Sequence, residues 1–279
     1  MNRLLVQVHE VWLETLMSAF MSNNTTTKQT LFDFSEIMFR HFTWIENYCI
    51  KNDVSYDYER NMIPVKVDNL NTILQDIIAR LNRIGLQLVV CDDDALSSRI
   101  SRDMEYFIFT LKNIPDEPVS AFDMQRTLKG IKLSNEATDA LTLFLFEESY
   151  KEYELIMIYN YLKAHSSDVN LVRIFQILID ESFFHLNRFG QMMADMGILG
   201  VPRTIAKELY VVEDIVAFFE NGINEELLAK EECKRLSNAV SDESKELARF
   251  FDFVNYQENY HIALMKEALE FYNKVTDVQ

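Results

Sequence analysis

The chain has 279 residues, 48% of them hydrophobic, and a formal net charge of -17 from 44 acidic against 27 basic residues. That balance repels the phosphate backbone of a nucleic acid and the surface of an anionic membrane, so neither is an expected partner; the acidic exterior serves first to keep a helical protein dispersed. Only 6 Gly and 4 Pro occur, which favours long helices with few tight turns, an all-α fold.

Apolar residues at helical spacing predict helices over residues 4–22 and 29–51, a hairpin joined by the polar stretch SNNTTTK. After the turn-like NDVSYDYERNMIP, a third helix is expected over 67–84. A fourth, over 94–113, starts behind the acidic cluster DDD, which suits a helix N-terminus. IPDEPVSAFD holds two of the prolines and breaks the rhythm, so the division falls there: a first domain over 1–115, a linker over 116–133 and a second domain over 134–279. The second domain repeats the plan. One helix runs to about His165, a second starts behind Asp168 and ends near Gly197, and the last two meet at SDES, residues 241–244. The connection between the second and third, GILGVPRTIAKELYVVEDIVAFF, is the long one. Two four-helix bundles in tandem are expected.

Cys49, Cys91 and Cys233 lie far apart, giving neither a disulfide framework nor a CxxC pair. They suit a reducing cytoplasm. No apolar run is long enough to span a bilayer, and MNRLLVQVHEVWLETL is unlike a signal peptide, so a cytoplasmic protein is expected.

Candidate chemistry concentrates in the second half. NYQENYHIAL sets Glu258 and His261 three apart, and LIDESFFHLNRF sets Glu181 and His185 four apart between Ile177, Leu178 and Phe189. Each pair shares one helix face. GINEELLAKEEC starts a small apolar stripe at Glu226, with Ala229 and Cys233 following. LFLFEESYKEYELIMIYNYL offers Glu148 and Glu152 on a face continued by Leu155, Tyr159 and Leu162. Counting equal lengths from the hairpin tips sets Glu148 level with His185, Glu152 level with Glu181, and Glu258 opposite Glu225 or Glu226. Carboxylates and imidazoles on apolar faces are costly unless a cation neutralises them.

In this pattern the second half resembles the ferritin-like superfamily, the rubrerythrins, bacterioferritins and di-iron carboxylate proteins, in which two helices give one Glu each and two give a Glu and His pair. Glu258 and His261 match fully. Glu226 and Ala229 match, with Cys233 where the family often has Tyr, and Glu152 and Tyr159 match, with Leu155 between them. Ser182 stands where a Glu would precede His185 by three, which leaves terminal rather than bridging binding open to Glu181 and a mononuclear or asymmetric site open beside the favoured two metals. The resemblance implies about two irons per chain held by Glu148 or Glu152, Glu181, His185, Glu226, Glu258 and His261, with Tyr159 as a redox-active or hydrogen-bonding phenol. Manganese accepts the same ligands.

The first half carries His9, Glu10 and Glu14 on one helix and Glu36, His41 and Glu46 on the next. Its fourth helix has Asp103 and Tyr106 where a Glu and His pair would repeat, so it is expected to be a degenerate copy. The function that follows from the resemblance is an oxidoreductase activating dioxygen or peroxide, supplied by an external electron donor because no CxxC centre is built in, in a chain free to form a homodimer. The alternatives are a ferroxidase-like iron-binding protein, a manganese catalase-like enzyme, and a metal-free structural protein.

Overall fold

A computed structural model describes residues 1–63, 69–119 and 121–276. Among these the chain is all-α. The helices are α1 (Asn2–Met21), α2 (Thr25–Lys51), α3 (Leu70–Gln87) with a following turn of 3-10 helix, α4 (Asp94–Leu111), α5 (Asn135–His165), α6 (Val169–Asp195), the single-turn α7 (Lys207–Tyr210), α8 (Ile215–Val240) and α9 (Lys245–Thr276). The start expected for the third helix, Val67, lies outside the described residues, as do Pro64 of the preceding turn and Ser120 of the expected linker. No helix among the described residues is long and apolar enough to cross a membrane.

Short polar side chains decide where the helices begin. Asn24 accepts from Thr27 N, Asn69 from Thr72 N, Asp93 from Leu96 N, Ser134 from Ala137 N, Asp168 from Asn170 N and Leu171 N, and Asp214 from Ala217 N. Each satisfies a backbone donor that the first helical turn leaves over. The Asn24 cap draws the three threonines into α2, which therefore starts earlier than apolar spacing alone predicts. The Asp214 cap starts α8 inside the expected long connection.

The chain divides into two compact units. Unit 1 is Met1–Met124 with Gly197–Lys207, and unit 2 is Gln125–Met196 with the chain from Glu208 onward. In unit 1, α1 packs on α2 and α3, and α4 packs on α3 and α2. The segment after α6 belongs to this unit for definable reasons. Gly197 has φ +71°, and a Cβ there would run into Asp123 and the backbone of Met124, so only glycine fits. Met124 N donates to Gly197 O, and the buried Arg60 donates to the carbonyls of Pro202 (2.7 Å) and Arg203 (2.8 Å).

Inside unit 1 the buried acids have protein partners. Arg80 on α3 reaches Glu10 (2.8 Å) and Glu14 (2.9 Å) on α1. Glu46 accepts from Tyr56 OH at 3.0 Å and from Tyr58 OH. His41 meets Asp103 at 2.9 Å, and Asp103 also accepts from Arg99. His9 sits among Trp12, Phe42 and Tyr58, with ring centroids 5.1–6.4 Å away. In unit 2, α5 pairs with α6 and α8 with α9, and the pairs join through α6 against α9 and α5 against α8.

Two outcomes follow for unit 1. Arg80→Met leaves Glu10 and Glu14 buried without their cation and is expected to lower the unfolding free energy by about 3 kcal/mol. Adding Glu10→Gln and Glu14→Gln should recover most of it, as measured by urea denaturation. Burial, with Arg60 nearby, pushes the His9 imidazole well below its usual range, so the folded chain holds it neutral where the unfolded chain binds a proton. Stability therefore falls as pH drops below about 6.5. His9→Phe should show a smaller loss of the urea midpoint between about pH 7 and 5.5 than the parent protein.

Candidate metal centre

Four long helices of unit 2 bring their acidic and imidazole side chains to one height. α9 supplies Glu258 and His261 on successive turns of one face, and α8 supplies Glu226; all three are buried. One ligand atom from each lies within 4.8 Å of the other two. His261 Nδ1 is 2.8 Å from Glu258 Oε2 and 3.4 Å from Glu226 Oε1. Ligand atoms about 2.1 Å from a shared ion, at ordinary bond angles, stand roughly 3.0–3.4 Å apart, so the spacing suits a common cation.

Direction supports the same reading. Glu258 Oε2 and His261 Nε2 are buried yet make no aligned hydrogen bond, although the carboxylate oxygen is in contact with the imidazole. A carboxylate oxygen and a ring nitrogen crowded without hydrogen-bond alignment are costly in a dry interior, and a cation accepting lone pairs from Glu258 Oε2 and His261 Nδ1 relieves that cost, leaving Nε2 on the side of Glu181. The donor set of carboxylate oxygens and imidazole nitrogens fits iron or manganese.

Beside this cluster lies a second pair. His185 Nδ1 on α6 is 2.9 Å from Glu152 Oε1 on α5, and the two imidazole rings, His185 and His261, are 5.7 Å apart. Equal counting from the hairpin tip placed Glu148, not Glu152, level with His185, and the structure corrects this. Side chains on a helix lean toward its N-terminus, so on antiparallel α5 and α6 they lean in opposite directions. Glu152 leans away from the tip and His185 toward it, and the two meet. Glu148 lines the same cavity but is held by Lys151 at 2.9 Å. Glu181 Oε2 comes within 3.7 Å of His261 Nε2.

Gln257, which the sequence reading passed over, ties these groups together. Its Oε1 is 3.3 Å from His185 Nε2, and its Nε2 donates to Glu181 Oε2 at 2.7 Å. A hydrogen bond from Nε2–H of His185 to Gln257 makes Nδ1, which faces Glu152, the nitrogen that would give up its proton to a cation. The sequence signal was present, since Gln257 immediately precedes Glu258, but its direction toward α6 depends on packing.

Aromatic layers close the site on two sides. Phe144 packs edge-on to Phe189 (5.4 Å) and Phe251 (5.2 Å), and Phe189 stacks on His185. On the other side Tyr159 lies against Phe175 and Phe218, and Phe175 stacks on Phe219. Each fully buried Phe contributes about 2–3 kcal/mol. The shared effect on the site is a low dielectric.

That setting governs protonation. Burial disfavours the His185 imidazolium, but Glu152 and Glu258 outweigh it and raise the group to about 9. Burial likewise opposes charge on His261, and Glu181, Glu226 and Glu258 overrule it. Burial pushes Glu258 up, while contacts with His261 and Glu258 hold Glu226 down against its own burial, so the two carboxylates share a proton. Burial and the neighbouring Glu226, Glu152 and Glu258 keep the Tyr159 phenol protonated. Burial and the nearby carboxylates also raise the Cys233 thiol.

The seven acidic and imidazole residues singled out from sequence thus converge on one region of unit 2, with Tyr159 on the wall of the same cavity. Comparison of the chain with protein-family models, with curated proteins and with solved structures gives no match.

Gln257→Leu removes the partner of both His185 Nε2 and Glu181. The variant is expected to weaken metal binding about 10- to 100-fold while Glu226, Glu258 and His261 remain in place. Competition titration against a chelator of known affinity reads the change.

Proposed function

We propose that unit 2 is a non-haem metal centre of the di-iron carboxylate kind and that the protein is an oxidoreductase acting with dioxygen or peroxide. The observation that carries this is the trio Glu226, Glu258 and His261, buried, with one ligand atom of each within 4.8 Å of the others and with Glu258 Oε2 in no hydrogen bond. In this reading Glu226, Glu258 and His261 would hold one cation, and Glu152 and His185, with Glu181 nearby, would hold a second. A bound iron pair supplies one-electron chemistry and a coordination position for the oxidant.

The protein's own residues have definable parts in this reading. Gln257 orients His185, the aromatic layers exclude water, and Tyr159 keeps a phenolic proton at the cavity wall, beside carboxylates that discourage its release. Manganese fits the same donors, and catalase-like chemistry is the second reading that this donor set favours.

Metal analysis tests the proposal. Protein from cells supplied with iron and manganese is expected to carry about two irons per chain, and a Glu258→Ala, His261→Ala variant to carry almost none. Manganese in place of iron redirects the function to peroxide disproportionation. Absence of metal from the parent protein leaves the structural reading.

A further inference from the structure

The cavity beside the trio has a lining of two unlike kinds. Glu148, Glu152, Glu225, Glu226, Glu258 and His261 line it together with the apolar Leu155, Leu178, Phe218 and Met265. Most of the lining comes from α5 and α8, and the exposed Lys151 belongs to it as well. The volume is about 210 Å³, below the roughly 300–1,000 Å³ of pockets for drug-sized ligands.

Gly222 shapes part of this space. It lies on α8 one turn before Glu226, and a Cβ built there would stand 3.1 Å from Met265 Sδ and 3.3 Å from Met265 Cε. A glycine inside a helix is locally unfavourable compared with almost any other residue. Here its lack of a side chain lets Met265 lie close to α8, where both residues line the cavity.

Resting on the metal-centre reading, we propose that this cavity is the substrate pocket, that its substrate is a small, uncharged, largely apolar organic molecule, and that Gly222 with Met265 sets its depth. The charges around the cavity select against the alternatives. An anion meets Glu152, Glu226 and Glu258, and Lys151 is already paired with Glu148. An organic cation competes with the metal for the same carboxylates. A hydrated ferrous ion finds carboxylates at Glu148 and Glu225 but gains nothing from Leu155, Leu178, Phe218 and Met265, so as a substrate it leaves the apolar part of the lining unused. An uncharged apolar molecule meets none of these penalties, and burying it on those walls is favourable.

The test uses the full chain as purified, with its metal content measured in each sample. Its probes are 1-hexanol, the longer alcohols to 1-decanol, hexanoate and hexylamine, with affinities from ligand-detected NMR titration. Binding of 1-hexanol is expected, with hexanoate and hexylamine at least about tenfold weaker. Gly222→Leu should weaken 1-hexanol at least about tenfold with metal content unchanged. Because leucine is the better helix former, α8 should be retained, as circular dichroism checks. Leu178→Ala acts in the opposite sense, shifting the best-bound alcohol to a longer chain.

Equal binding of the charged probes, no binding of 1-hexanol, or wild-type affinity in Gly222→Leu overturns the proposal. If the probes behave as expected but the chain carries no metal, the substrate role is overturned together with the metal reading, and the cavity stands as a binding site alone. The two failures are therefore distinguishable.

Discussion

Taking a carboxylate out of water costs several kcal/mol unless a positive partner comes with it, and both units of this protein bury carboxylates between helices. Unit 1 answers with its own side chains. Arg80 serves Glu10 and Glu14, two tyrosine hydroxyls serve Glu46, and His41 with Arg99 serves Asp103. In unit 2 the buried Glu152, Glu226 and Glu258 face imidazoles, and Lys151 is engaged by Glu148 near the surface. For Glu10 and Glu14 in unit 1 that demand is met by a fixed arginine, and for Glu152, Glu226 and Glu258 in unit 2 by titratable histidines. Histidine can give up its proton to make room for a metal, and arginine cannot.

The surrounding apolar structure makes that difference consequential. The layers around Phe144, Phe189 and Phe251, and around Tyr159, Phe175 and Phe219, tie four helices together and set apolar rings on two sides of the carboxylates between them. Burial opposes charge on the two histidines, the carboxylates beside them overrule it, and Glu226 and Glu258 share a proton. Small residues complete the arrangement. Ala229 and Gly222 on α8 leave space where bulkier side chains would fill the cavity beside Glu226.

Much of this was legible from residue spacing. Scarce Gly and Pro announced helices, and the acidic cluster DDD and the cap Asp168 marked helix starts. Glu258 and His261 lie on one helix, so their shared face follows from the 3.6-residue period alone. Pairings between helices were less legible. Counting from the hairpin tip misaligned Glu152 and His185, because it ignores the lean of side chains on antiparallel helices. Gln257 was invisible as a bridge for the same reason, since its value depends on His185 and Glu181 arriving from another helix. The membership of Gly197–Lys207 in unit 1 rests on Arg60 and on a left-handed glycine, neither of which has a periodic signature.

The sequence by itself determined the all-α class, most helix boundaries and the set of acidic and imidazole residues on apolar faces, because these depend on propensity, caps and the period of one helix at a time. Only the tertiary structure decided which of those residues touch, which are neutralised by arginine or lysine, and where a cavity remains. Those outcomes depend on distances between helices and on the direction in which each side chain leans, and they are fixed only when all four helices of a unit are packed together.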